Sequence, residues 1–205
     1  VTNELYSHCA FTGKVQKFPT MMKNTGYEII HYGVEGAQTD ASENVTIMTQ
    51  EEQIALRGHD GSDVTKFVGD DANSTSPLYL EFNRRLRLAL LDRVAQTDLI
   101  LMPFGWGHAT AVNNLPFTLV ESGIGYLHLY GAPNKIYESY AWMHWHQGKE
   151  NRNGKNYEWV IPNYFDIDAW DVQLNPPNNK VVFMGRICDV KGLPTIVEIA
   201  KQRKD

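Results

Sequence analysis

Apolar positions along the chain alternate between helical and extended spacing, and this alternation sets the expected elements. In residues 15–24, Phe18, Met21 and Met22 share one side and Thr25-Gly26 follows. That pattern predicts a helix with a glycine stop, its start delayed by Pro19. Residues 27–33, rich in β-branched and aromatic side chains and bounded by glycines, read as a strand. In residues 79–96, Phe82, Leu86, Ala89, Leu90 and Val94 fall on one helical face while Arg84 and Arg87 project from the other. Residues 99–102 are continuously apolar, as suits a strand buried on both faces of a parallel sheet. Residues 117–121 and 158–161 read as further strands, and residues 135–147 as a helix. Strand and helix in alternation predict an α/β protein with a Rossmann-like, doubly wound parallel sheet, whose ligands gather at the carboxyl ends of the strands.

Two stretches interrupt the pattern. Residues 34–77 turn polar, with one short helix over 50–57 and the densest loop signal from Asp70 to Pro77. Residues 171–179 contain Asn175-Pro176-Pro177-Asn178-Asn179 and read as a stiffened linker between a domain over 1–170 and the start of a second over 180–205. A strand over 180–184, a Gly185-Arg186 turn and a helix over 193–204 cannot bury a core of their own, so the second domain is expected to be incomplete and both chain ends to be cut.

Composition narrows the function classes. The chain has 205 residues, 42% hydrophobic and 21% charged, enough for a folded α/β domain. A net charge of −5 gives no electrostatic reason to expect a nucleic acid as the main partner. The longest apolar run is far below the roughly 20 residues that span a bilayer, and the N-terminus has no leader pattern. Cys9 and Cys188 stand in no metal-ligand spacing and fit free thiols, so a cytoplasmic protein is expected. Asn44-Val45-Thr46 and Asn73-Ser74-Thr75 match the glycosylation sequon, which carries no weight without a leader.

Val182-Phe183-Met184-Gly185-Arg186, followed by Asp189-Val190-Lys191-Gly192, resembles the strand, Gly-Arg turn and Lys-Gly loop that open the second domain of retaining glycosyltransferases of the GT-B fold. Ile161-Pro162-Asn163-Tyr164-Phe165-Asp166 is similar to the Ile-Pro-Asn-x-x-Asp segment those enzymes carry shortly before that turn. Gly26-Tyr27-Glu28-Ile29 and Thr97-Asp98-Leu99-Ile100 are similar to their entries into two earlier strands. The resemblance implies the first half of such an enzyme. It would move a hexose from a nucleotide sugar to a glycan or lipid-linked acceptor, without a metal or other cofactor, and the lipid-linked case would add peripheral membrane contact. The donor's sugar and ribose would be held by carboxylates beyond residue 205, so these 205 residues alone are expected not to turn over.

The chemistry asks for fixed positive charge where the leaving diphosphate develops. Arg186 and Lys191, after a strand in a loop bounded by Gly185 and Gly192, can supply it, or can be solvated loop cations. Thr12-Gly13-Lys14 stands where a helix start favours an anion. Glu121 precedes Ser122-Gly123-Ile124-Gly125 at a strand end, where related enzymes place a His-Gly pair or similar cleft residues. A carboxylate there can hold sugar hydroxyls or support the reacting centre, or can cap a turn. His108 can touch the acceptor or can be a structural histidine, Trp106 can stack on a sugar face, and Asn163 is placed in the cleft by the resemblance. His144 and His146, two apart on a helix, face different directions, which argues against a metal site. The rival readings are a non-catalytic sugar- or nucleotide-binding module and a dinucleotide-dependent oxidoreductase, the latter without a Gly-x-Gly-x-x-Gly.

Overall fold

The computed structural model describes residues 10–58, 73–127, 132–168, 182–185, 187 and 189–203. It divides into two compact units, Val1–Phe165 and Asp166–Asp205.

The first unit is α/β with parallel sheets. Helix α1 (Ala10–Met22) leads to β1 (Ile30–Val34), which pairs in parallel with β2 (Glu43–Met48), Ile30 opposite Glu43. Helices α2 (Gln50–Arg57) and α3 (Pro77–Arg93) follow. A second sheet then forms from β3 (Leu99–Met102), β4 (Thr118–Ile124), β5 (Asn134–Tyr137) and β6 (Glu158–Val160), all parallel and adjacent in chain order. Short helix α4 (Ala109–Val112) lies between β3 and β4, and α5 (Tyr140–Lys149) between β5 and β6. Such parallel neighbours require a crossover each time, so the carboxyl ends of the four strands point the same way.

The helix boundaries follow from capping chemistry. Thr49 and Glu52 close a capping box on α2, and Gly58 ends it in the left-handed region with φ 85°. Ser76 caps α3 ahead of Pro77, and Ser139 caps α5 through the Trp142 amide. Leu78, Phe82, Leu86 and Leu90 of α3 are buried in one cluster with Val34, Ile47 and Met48 from the first sheet and Met102 and Leu119 from the second. Each such side chain contributes roughly 1.5–3 kcal/mol of burial, so α3 ties the two sheets into one core.

Several sequence expectations shift in register. The first helix begins five residues earlier than expected and runs through Pro19 to Met22, so Thr12, Gly13 and Lys14 lie inside its opening turns rather than in a loop before it. The strand expected over 27–33 is β1, three residues later at its start. The polar stretch 34–77 hides β2, whose Asn44 and Thr46 mask the strand pattern; Asn44 Oδ1 accepts from Thr39 and lies 3.1 Å from His31 Nδ1. The helix expected over 135–147 is β5 followed by α5, because Ser139 provides a cap inside the run. The strand expected over 117–121 continues to Ile124, so Glu121 sits within β4, immediately before a register shift, and not at its end.

The second unit contains a 3-10 turn, Asp189–Lys191, and helix α6 (Leu193–Gln202). Gly192 enters α6 with φ 74°, a conformation that favours glycine. Residues 182–184 form no strand, and Val182 and Met184 are exposed. The expected linker 171–179, Arg186, Cys9 and Cys188 lie outside the described residues.

Candidate functional site

Glu121 is the most buried charged side chain of the first unit, with no exposed surface. In the ladder it stands opposite Met102 of β3 and Lys135 of β5. Past it, β4 loses register with β5, and Gly123 takes φ 64°. That irregularity returns Tyr126 over the strand end, so that its hydroxyl lies 3.2 Å from Glu121 Oε1 and 3.4 Å from the Pro103 carbonyl, and accepts from the Gly105 amide at 3.2 Å. The other carboxyl oxygen, Oε2, is buried with no hydrogen-bond partner among the described residues. Burial pushes the Glu121 carboxyl up to about 7, against the smaller opposing effects of the Tyr126 hydroxyl and the Lys135 ammonium. A carboxyl poised there can hold or release a proton near neutrality.

Gly105 roofs this carboxyl. A Cβ at that position would lie 2.8 Å from the Glu121 side chain, so the close approach of the β3 loop to β4 depends on a glycine. Phe104 and Trp106 flank it, their rings 4.7 Å apart, and Phe104 also contacts the Tyr126 ring.

A second contact joins α1 to the same edge of the sheet. Lys14 Nζ donates to the Gly123 carbonyl at 3.2 Å and pairs with Glu138, which follows β5. Gly125 packs against the Glu138 carboxylate, leaving no room for a side chain. The Thr12-Gly13-Lys14 segment and the Glu121-Ser122-Gly123-Ile124-Gly125 segment therefore do meet, through Lys14. Thr12 is buried in the first turn of α1, and Gly13 borders open space.

The other sequence-derived candidates are placed differently. Asn83 Oδ1 lies 2.8 Å from His108 Nδ1, and the His108 ring packs against Tyr79 and Phe82. Asn83 in turn donates to the Gly107 carbonyl and Thr110. Burial holds the His108 imidazole well below its ordinary value, so it is neutral and acts here as a brace between α3 and the loop after β3. Asn163 is exposed just beyond β6. In the second unit, a Cβ on Gly185 would lie 3.8 Å from Lys191 Cγ, so the glycine turn and the lysine loop come together there. Of the paired histidines, His146 is buried, its Nε2 3.0 Å from the Tyr126 carbonyl, and His144 packs against Tyr140. Among the described residues no group of three or more histidine, cysteine or acidic side chains is arranged to hold a metal ion.

Tyr126 and Glu138 are the site residues that the sequence reading missed. Each lies just past a strand, within reach of a segment already singled out, but only the loss of register in β4 brings Tyr126 back to Glu121. No family model, no curated protein and no solved structure matches this chain. Among the described residues no helix is long and apolar enough to cross a membrane.

Proposed function

We propose that the first unit is the acceptor-side domain of a retaining glycosyltransferase that moves a hexose from a nucleotide sugar to a glycan or lipid-linked acceptor. The observation that carries the reading is the Glu121 carboxyl: buried in the middle of β4 opposite the last residue of β3, pushed up to about 7, with Oε2 unpartnered among the described residues. A buried polar atom without a partner is costly, and sugar hydroxyls offer donors that satisfy it. In this reading Glu121 accepts from an acceptor hydroxyl, or supports the charge that develops at the reacting centre. Trp106, next to Gly105 in the loop over Glu121, is in this reading the ring on which the sugar stacks. The Ile161-Pro162-Asn163 and Gly185-to-Lys191 segments support the assignment by resemblance, with Arg186 and Lys191 as the donor-diphosphate ligands. The nucleotide sugar enters as substrate, and no cofactor is invoked.

A second reading is a sugar-binding module without turnover; in either reading the loop carrying Gly105 must open to bring a saccharide to the enclosed carboxyl. Both readings require that the chain bind a saccharide through Glu121. Calorimetric titration with a panel of mono- and disaccharides is expected to find a binder. Glu121→Gln is expected to weaken that binder about tenfold to a hundredfold, the value of a hydrogen bond to a charged group. Absence of binding by any saccharide at about 10 mM, weaker than any useful site, rejects both readings. Transfer from a nucleotide sugar by a protein that carries the donor-side carboxylates the resemblance implies separates them.

A further inference from the structure

We infer that Tyr126 is a positioning residue that couples the protonation state of Glu121 to the Pro103-to-Gly105 loop. The inference rests on a count of hydrogens around one oxygen and holds whatever reaction the site serves. The Tyr126 hydroxyl has one hydrogen and, among the described residues, two candidate acceptors, Glu121 Oε1 at 3.2 Å and the Pro103 carbonyl at 3.4 Å, while it accepts from the Gly105 amide at 3.2 Å. It cannot donate to both acceptors at once.

When Glu121 is ionised, the hydroxyl hydrogen turns to Oε1, since a charge-assisted bond is the stronger one. The Pro103 carbonyl then loses that donor. When Glu121 takes a proton from solvent on Oε1, the carboxylic acid donates to the tyrosine oxygen, and the hydroxyl hydrogen swings to the Pro103 carbonyl. No covalent bond to tyrosine breaks in the exchange. Burial and the neighbouring carboxylate raise the Tyr126 phenol above its ordinary value, so it keeps its hydrogen in both states. In the neutral form the partnerless Oε2 becomes an uncharged carbonyl oxygen, which lowers the cost of leaving it unpartnered.

The charged and titratable groups around Glu121 leave this hydroxyl as its only direct polar contact among the described residues. Lys135 faces it from β5 without a hydrogen bond, and β3 contributes the apolar Met102. His146 of α5 lies against the Tyr126 carbonyl, not its hydroxyl, and burial lowers its imidazole below its ordinary value. His108 is turned to Asn83. The loop that Tyr126 grips carries Phe104 and Trp106, so a change in the hydroxyl's direction is transmitted to the aromatic wall beside Glu121.

The experiment is a pH titration of the chain by NMR, following the Glu121 carboxyl carbon and the Gly105 amide together. Expected is a common midpoint near 7 for both, with His146 titrating separately and lower. In Glu121→Gln the Gly105 amide loses that transition. In Tyr126→Phe the Glu121 midpoint moves up and Gly105 no longer follows it. A Gly105 amide that stays flat while Glu121 titrates in the parent chain overturns the inference, whether or not either variant folds. So does a Gly105 transition that persists unchanged in Tyr126→Phe, or a Glu121 midpoint in the ordinary carboxylate range.

Discussion

At pH 8, Glu121→Gln is expected to be more stable than the parent chain by up to about 3 kcal/mol while losing saccharide binding. The carboxyl moves from 4.5 when free to about 7 in the fold, with burial as the main cause. A folded value raised above the unfolded one means that stability is fully present below about pH 4.5 and is lost as pH rises through about 7. Above that window the parent bears the whole cost of a buried carboxylate with a partnerless oxygen, and the neutral amide does not. For a chain of this size the gain corresponds to a rise in melting temperature on the order of 5–10 °C. The advantage should shrink as pH falls and approach zero below about pH 4.5, where the parent carboxyl becomes neutral in both states. Thermal melts of both proteins across this range check it. Equal melting at pH 8, or a variant less stable at every pH, contradicts the burial argument. A residue that costs stability and is needed for binding is the pattern expected of a functional group held in an unfavourable setting.

Arg152→Ala is expected to lose about 1.5–3 kcal/mol at pH 7, the value of charge-assisted hydrogen bonds in a partly buried pair. Arg152 grips both carboxyl oxygens of Glu158, Nη1 to Oε2 at 2.9 Å and Nη2 to Oε1 at 2.6 Å, and the Glu158 side chain is only 2% exposed. Burial alone would push Glu158 up; Arg152, the Lys155 amide and Gln147 outweigh it and hold the carboxyl at about 2. A depressed carboxylate contributes stability above its unfolded value and loses it as pH falls towards the folded one. The gap between parent and variant should therefore narrow as pH drops from 4.5 towards 2. Urea unfolding at pH 7 and pH 3.5 measures both. A loss below about 1 kcal/mol at pH 7 would place the pair with exposed salt bridges and refute the claim.

The sequence made the long-period features legible and concealed the short ones. Helix α3 carries four apolar positions of one face into the core and β3 is uninterrupted hydrophobic sequence, so both were readable, but β3 stands at the end of the strand order with Leu99 exposed rather than buried on both faces. β2 was not, because a parallel strand holding Asn44 and Thr46 looks like loop until its cross-strand partners are known. β5 was absorbed into the following helix because Asn134-Lys135-Ile136-Tyr137 has no strong period of its own and is fixed by its neighbours β4 and β6. At the site, Glu121 and its glycines stood out by position. The tyrosine that completes it did not, because a shift in strand register is a tertiary event. His108 stood out equally, yet Asn83, 25 residues upstream on α3, holds it as a brace.

The proposed saccharide site lies at Glu121, just before β4 loses register with β5. Amide shift mapping of the chain during titration with a binding saccharide tests it most directly. The largest changes are expected on Gly105, Trp106, Glu121 and Gly123. Changes confined to the exposed aromatics Tyr157 and Trp159 on β6 and its approach, with the Glu121 neighbourhood unmoved at saturation, would contradict it.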